Sequence, residues 1–205
     1  MLVVLAWSNL AFCGEIQDAA RSGDLEKVKA LLKDNPDLVS SKDDKYGWTP
    51  LHEATRNGHK DVAEFLLANK ADVNAMDKNG DAPLHVAATE GQTEVAVLLL
   101  ANKADINARD KSGMTPLHMA ASQGNKEVAV LLLANKADVN ARVNDGGTAL
   151  HMAAGAGHRD VAKLLLANKA DVNARDNKGY TPLGAAVANG HKDVAELLRQ
   201  HGGQE

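Results

Sequence analysis

One cysteine, Cys13, stands in 205 residues, so no disulfide can form within the chain. Aromatic residues make up 3% of it, so any core must be built from alanine, leucine and valine. Small apolar side chains of that kind suit closely stacked helices better than one thick core. No run of about 18 apolar residues occurs, which leaves no ordinary membrane-spanning helix. An excess of basic charge is missing too: 23 Lys and Arg face 27 Asp and Glu, for a net charge of −4. Phosphate binding draws on a concentrated basic face, so nucleic acid is not expected as a partner. What is present is a 44% hydrophobic content, enough to bury a core.

Residues 1–13, MLVVLAWSNLAFC, carry no charge, and the composition changes abruptly at Gly14-Glu15. An apolar stretch followed by Ala11-Phe12-Cys13 resembles the hydrophobic and cleavage parts of a secretory signal. Ala11 and Cys13 are small enough for the two positions that a signal peptidase reads. The sequence therefore predicts an export signal over 1–13 and a periplasmic location in a bacterium. The segment is short and lacks the usual basic beginning. Lipid attachment at Cys13 is one alternative, although Phe12 is bulky for that motif. A greasy helix covering the first repeat is the other, and it would make the protein cytoplasmic.

The rest of the chain repeats with a fixed period. Leu51, Leu84, Leu117, Leu150 and Leu183 recur at one spacing. So do Asn74, Asn107, Asn140 and Asn173, and likewise Gly58, Gly91, Gly124, Gly157 and Gly190. Within one period, Thr49 is a good helix N-cap and Pro50 sits at the first helical position, where its missing N–H costs nothing. Leu51 and Ala54 follow at helical spacing, and Gly58 ends this short helix. A second helix is predicted over 60–68, with Val62, Phe65, Leu66 and Leu67 apolar. Turn residues from Asn74 to Gly80 then lead to the next period. One such unit cannot bury its own apolar face, so the units must stack.

Thr49-Pro50-Leu51-His52 through Gly58-His59 resembles the ankyrin-repeat motif, and it recurs from Ala82, Thr115 and Thr148. The resemblance covers residues 14–205. It implies an all-α solenoid of helix-turn-helix units joined by hairpin-like loops. The array reads as six repeats: 14–46, 47–79, 80–112, 113–145, 146–178 and 179–205. Both ends turn polar: Lys27 stands where the next unit has Val62, and Arg199 where the others have Leu67, Leu100, Leu133 and Leu166.

Three departures from the family pattern stand out. Lys70, Lys103, Lys136 and Lys169 replace the usual glycine after the second helix, each preceded by Asn. Asn tolerates left-handed backbone, so it is expected to take over the capping role. Val143 replaces the Asp found at Asp77, Asp110 and Asp176, and Ala149 replaces proline. The loop 143–147 is therefore predicted to be the most mobile of the inner loops.

Catalytic or metal chemistry is not expected. His52, His85, His118 and His151 form a column one repeat apart. Stacked helices lie roughly 8–10 Å apart, too far for neighbouring histidines to share a metal held at about 2 Å. Each histidine is instead expected to bond to its own Thr cap or to a neighbouring loop. His59, His158 and His191 read as exposed or as caps of the second helix. No phosphate loop or dinucleotide fingerprint occurs, and no cofactor is implied.

Positions fixed in every unit serve the stack, whereas those that vary are free of that duty. Two groups vary: residues flanking the loop glycine, and the pair that ends the first helix. The resemblance implies that both lie on the concave side and contact a protein partner. In this sequence they are Lys45, Tyr46, Trp48, Arg56 and Asn57, then Lys78, Asn79, Asp81, Thr89 and Glu90. They continue with Lys111, Ser112, Met114, Ser122 and Gln123, and with Asn144, Asp145, Gly147, Gly155 and Ala156. Asn177, Lys178, Tyr180, Ala188 and Asn189 complete them. Tyr46, Trp48 and Tyr180 are expected to be exposed anchors, since aromatics are enriched at interface hot spots. A shallow trough is predicted between Met114 and Tyr180, because Gly147, Gly155 and Ala156 fill little space. The function expected is a monomeric protein-binding module. The alternatives are a dedicated structural or protective partner of one envelope enzyme and a cytoplasmic adaptor.

Overall fold

The computed structural model describes residues 14–205. The export-signal reading of 1–13 lies outside the described residues. Helix α1 covers residues 14–22 and is followed by α2 (Leu25–Asp34) and a short 3-10 turn at Pro36–Ser40. Short helices then alternate with slightly longer ones: α3 (Pro50–Arg56) with α4 (Lys60–Ala68), α5 (Pro83–Glu90) with α6 (Thr93–Ala101), and α7 (Pro116–Gln123) with α8 (Lys126–Ala134). The pairs α9 (Ala149–Ala156) with α10 (Arg159–Ala167) and α11 (Pro182–Ala188) with α12 (Lys192–Gln200) complete the order. The fold is an all-α repeat solenoid, as the periodicity predicts. Among the described residues the only strand-like feature is one isolated antiparallel bridge, Arg142 to Thr148.

The helices fall into two compact units. The first holds the described residues up to Ala87 together with Glu94–Asp105; the second holds Ala88–Thr93 and Ile106–Glu205. In the first unit Leu51, Ala54, Val62, Ala63 and Leu66 are fully buried. In the second, Leu117, Ala120, Val128, Ala129 and Leu132 occupy the same places and are as deeply buried. Truncating one of these leucines to alanine is worth about 2–5 kcal/mol, transfer and cavity terms together. Within the second unit α7, α9 and α11 pack on one another more closely than α8, α10 and α12 do. Ala120, Ala121, Ala153 and Ala154 allow that approach because they leave no bulk between the first helices.

The polar outer positions behave as read. Lys27 is exposed where Val62 is fully buried, and Arg199 is exposed as well. The Leu67, Leu100, Leu133 and Leu166 column is half-buried rather than buried, because these side chains sit at the edge of the second helix.

The helix C-termini correct the capping expectation. Asn69, Asn135 and Asn168 keep φ between −93° and −97°. The left-handed residues are the lysines, with φ of 70°, 66°, 68° and 68° at Lys70, Lys103, Lys136 and Lys169. The asparagine works through its side chain instead: Asn135 Nδ2 donates to Leu131 O at 2.9 Å, and Asn69 Nδ2 donates to Phe65 O at 2.8 Å. Lys136 N–H then reaches Leu133 O and Ala137 N–H reaches Leu132 O, each at 3.0 Å. The amide side chain thus adds a second donor to a helix-end carbonyl that the asparagine's own N–H also reaches. The residue that must turn is the next one, left-handed despite its Cβ.

Candidate functional site

The loops are narrow hairpins closed by a main-chain bond. Asp77 N–H donates to Asp81 O, Asp110 N–H to Met114 O, Val143 N–H to Gly147 O and Asp176 N–H to Tyr180 O, all at 2.9–3.0 Å. Where Asp opens the loop, its carboxylate accepts two further N–H groups. Asp110 Oδ1 holds Ser112 and Met114, and Asp176 Oδ1 holds Lys178 and Tyr180. Val143 offers no such acceptor and is buried, so in its loop Asp145 Oδ1 takes only the Gly147 N–H, at 3.0 Å. Successive loops are laced together: Lys78 N–H donates to Tyr46 O in the first unit, and Asn144 N–H to Ser112 O and Asn177 N–H to Asp145 O in the second.

The first histidine column is structural, as expected, and it links the first helices to these loops. Thr115 N–H donates to His118 Nδ1 at 3.1 Å, so that nitrogen is the acceptor and Nε2 carries the proton. His52 and His151 share this geometry and donate from Nε2 to Asp81 O and Tyr180 O. His118 donates to Ala141 O, six positions before the loop residue its counterparts use. Burial pushes all three below the usual histidine range, His118 to about 4.

The second histidine column corrects the expectation. His59, His158 and His191 occupy helix N-caps but make no side-chain capping bond. Their Nε2 atoms reach back to Arg21 O, Ser122 O and Gly155 O at 2.9–3.0 Å. Asn125 serves the same purpose, donating to Ala88 O and Thr89 O at 2.8 Å. These side chains stitch one repeat to the end of the preceding first helix. No local pattern announces this, since donor and acceptor lie a full repeat apart.

In the first unit the variable residues form an aromatic and cationic group. Tyr46 and Trp48 lie 5.6 Å apart, and Trp48 stacks on His52 at 6.2 Å with an 18° interplanar angle. Lys45 covers Tyr46 and Arg56 covers Trp48. Trp48 is half-buried rather than exposed, which corrects the reading of it as an open anchor. Its indole N–H donates to Asp77 Oδ2 at 2.9 Å, which ties it to the next loop. Tyr46 is 44% exposed, as expected. Lys78 and Asn79 are exposed and Asp81 is half-buried. Asn57 turns back on its own helix, donating to Glu53 O.

In the second unit two adjoining hollows lie between Met114 and Tyr180; of the small residues expected to open a trough there, Gly147 lines one and Gly155 and Ala156 line neither. One, of about 360 Å³, is lined by Lys111, Ser112, Met114, Val143, Asn144, Asp145 and Met152. The other, of about 240 Å³, is lined by Asp145, Gly147, His151, Met152, Asp176, Tyr180, Ala185, Ala188 and Asn189. Asp145 and Met152 belong to both. Tyr180 is 56% exposed. Glu90, Gln123, Ala156, Asn177 and Lys178 are exposed but outside the hollows; Thr89, Ser122 and Gly155 are half-buried. Asn177 Nδ2 donates to Asn144 O, and Asn189 Nδ2 caps its own helix at Ala185 O. Among the described residues no group of three or more His, Cys, Asp or Glu could hold a metal, and no helix is long and apolar enough to cross a membrane.

Comparison with known proteins gives the same picture. The family model described as ankyrin repeats (3 copies) matches residues 16–77, 73–143 and 117–205. Human protein phosphatase 1 regulatory subunit 27 is 38% identical over 73 residues, covering 36% of this chain and 46% of that protein. Human ankyrin repeat domain-containing protein 39 is 45% identical over 60 residues, 29% of this chain and 32% of that one. The mouse 2-5A-dependent ribonuclease is 39% identical over 54 residues, 26% of this chain and 7% of that enzyme. The chain thus spans less than half the length of these curated relatives. With the repeat profile matched along almost all of its length, the chain belongs to the ankyrin-repeat family, whose repeats typically mediate protein–protein interaction.

Proposed function

We propose that this chain is a six-repeat protein-binding module, not an enzyme, and that it grips its partner through loop tips and the exposed side of the first helices. The observation that carries this reading is the trough bounded by Met114 and Tyr180. Apart from His151 and Asp176, which recur in other repeats, its walls are side chains that differ from repeat to repeat, set on a scaffold whose buried leucines do not. Accessible side chains that vary around a fixed scaffold are what a binding role uses. The half-buried methionines Met114 and Met152 suit it, since methionine adapts to a partner's shape. Fold alone does not choose the partner.

The export-signal reading of 1–13 places that partner outside the cytoplasm. Expression with the leader, cell fractionation and intact mass test this point: a periplasmic product beginning at Gly14 is expected, and a full-length cytoplasmic product overturns it.

Photo-crosslinking tests the binding surface. A crosslinkable residue at Ser112 or Tyr180 is expected to trap a protein in the source cell. The same residue at Val130, an exposed position on the second helix α8, is expected to trap none. Adducts at Val130 with none at Ser112 or Tyr180 overturn the assignment.

A further inference from the structure

We propose that the hollow beside Tyr180 receives a lysine or arginine side chain of the partner, with an apolar residue of the same extended segment seated beside Met114. This inference rests on the protein-binding reading and names the chemistry of the bound segment.

The charge around the hollow has one sign. Asp145 and Asp176 both line it, and neither Lys nor Arg does. Each carboxylate has one oxygen committed to its loop: Asp145 Oδ1 accepts Gly147 N–H, and Asp176 Oδ1 accepts Lys178 and Tyr180 N–H. Among the described residues neither carboxylate is paired with a cation. Arg142 donates to Arg175 O instead. The field of both carboxylates reaches the floor. At His151 burial dominates and lowers the pKa, Asp176 and Asp145 oppose it, and Arg142 reinforces it.

The remaining walls suit the stem of a long cationic side chain. Met152, Ala185 and Ala188 are apolar, and Gly147 leaves the floor open. The exposed ring of Tyr180 offers a face to a cation. Long basic side chains favour such a setting, stem on apolar surface and charge beside carboxylate. A neutral apolar side chain would strand two unpaired carboxylates against it.

The adjoining hollow differs. Met114, Val143 and Met152 give it apolar walls, and Lys111 lines it together with Asp145. A second cation is disfavoured at that end and an apolar residue fits. In an extended segment, side chains two residues apart share a face at about 7 Å, close to the roughly 8–10 Å between stacked helices.

Panning the full chain against a library of random linear peptides tests this. Enriched peptides are expected to share a Lys or Arg close to a large apolar residue. Replacing that Arg by citrulline, its neutral isostere, is expected to weaken binding by about tenfold or more, the scale of one charge-assisted hydrogen bond. Asp145→Asn with Asp176→Asn is expected to do the same, since each Asn keeps the oxygen its loop needs and loses only the charge. Ala188→Lys, at an exposed helix end, places a cation of the protein's own in the hollow and is expected to abolish binding without disturbing the fold. Enriched peptides without a basic residue, basic peptides indifferent to these substitutions, or no enrichment at all would each overturn the inference. The crosslinking result at Ser112 and Tyr180 judges the protein-binding reading separately.

Discussion

His118 Nδ1 lies 2.8 Å from Thr115 Oγ1 and accepts the Thr115 N–H at 3.1 Å, so no room is left for a proton on that nitrogen. A second proton would face an N–H donor inside a buried site. Burial lowers the His118 pKa from 6.5 to about 4. The folded state therefore resists the proton that the unfolded chain accepts. The resulting stability stands in full above pH 6.5 and is lost as pH falls towards about 4, a contribution of about 3 kcal/mol at most. His52 and His151 are shifted the same way and steepen the fall. Urea unfolding at stepped pH checks this. His118→Gln is expected to cost about 1–2 kcal/mol at neutral pH through imperfect hydrogen bonding, and to flatten the acid limb.

Lys136 and Lys169 hold φ of 68° with a Cβ, a conformation that costs an L-residue about 1–2 kcal/mol. Glycine removes that cost but adds freedom to the unfolded chain. Lys136→Gly and Lys169→Gly are each expected to stabilise by about 0.5–1 kcal/mol in chemical denaturation. Asn135→Ala is expected to destabilise by about 1 kcal/mol or less, since Leu131 O loses its side-chain donor and keeps only the residue-135 N–H. If glycine at 135 stabilised and glycine at 136 did not, the division of labour between the two residues would be wrong.

Val143 leaves its loop with one fewer anchor than its neighbours. Ser112 and Lys178 N–H groups are held by Asp110 and Asp176, whereas the equivalent Asp145 N–H has no such carboxylate. Hydrogen exchange at the Asp145 amide is expected to be faster than at Ser112 or Lys178, making 143–147 the most mobile inner loop. Val143→Asp is expected to slow that exchange by supplying the missing acceptor. Equal protection at all three amides would leave the loop no special mobility.

The repeat and its helices were legible because apolar spacing, the Thr-Pro start and the terminal glycine all act within a few residues. Helix α4 ends where its periodicity does, at Ala68. The trough was legible in part: Gly147 leaves space there, whereas Gly155 and Ala156 line neither hollow. Trp48 was not: its burial depends on Asp77, 29 positions on in another loop. The second histidine column failed for the same reason, with acceptors such as Ser122 lying 36 positions away. The turn at Lys rather than Asn escaped because preference favours Asn for left-handed backbone. The helix end overrides that preference by using the Asn side chain as a donor.

Gly124 and His158 show what the repeat glycine is for. Gly124 has φ of +74°, and a Cβ built there would meet His158 Nδ1 at 2.6 Å. Two separate costs therefore fall on Gly124→Ala: left-handed backbone, about 1 kcal/mol, and collision with an imidazole anchored to Ser122 O. His158→Ala removes the ring and the bond, at about 1 kcal/mol. In the double variant the collision is gone, and the backbone cost and the lost bond remain. The two changes together should thus cost less than their sum, by about 1 kcal/mol or more, in a double-mutant cycle read by urea unfolding. Additive costs would mean that the ring yields freely and that the glycine serves the backbone turn alone. A clear coupling would make the histidine the reason a side chain is excluded there, and would extend the stitch between repeats from hydrogen bonding to close packing.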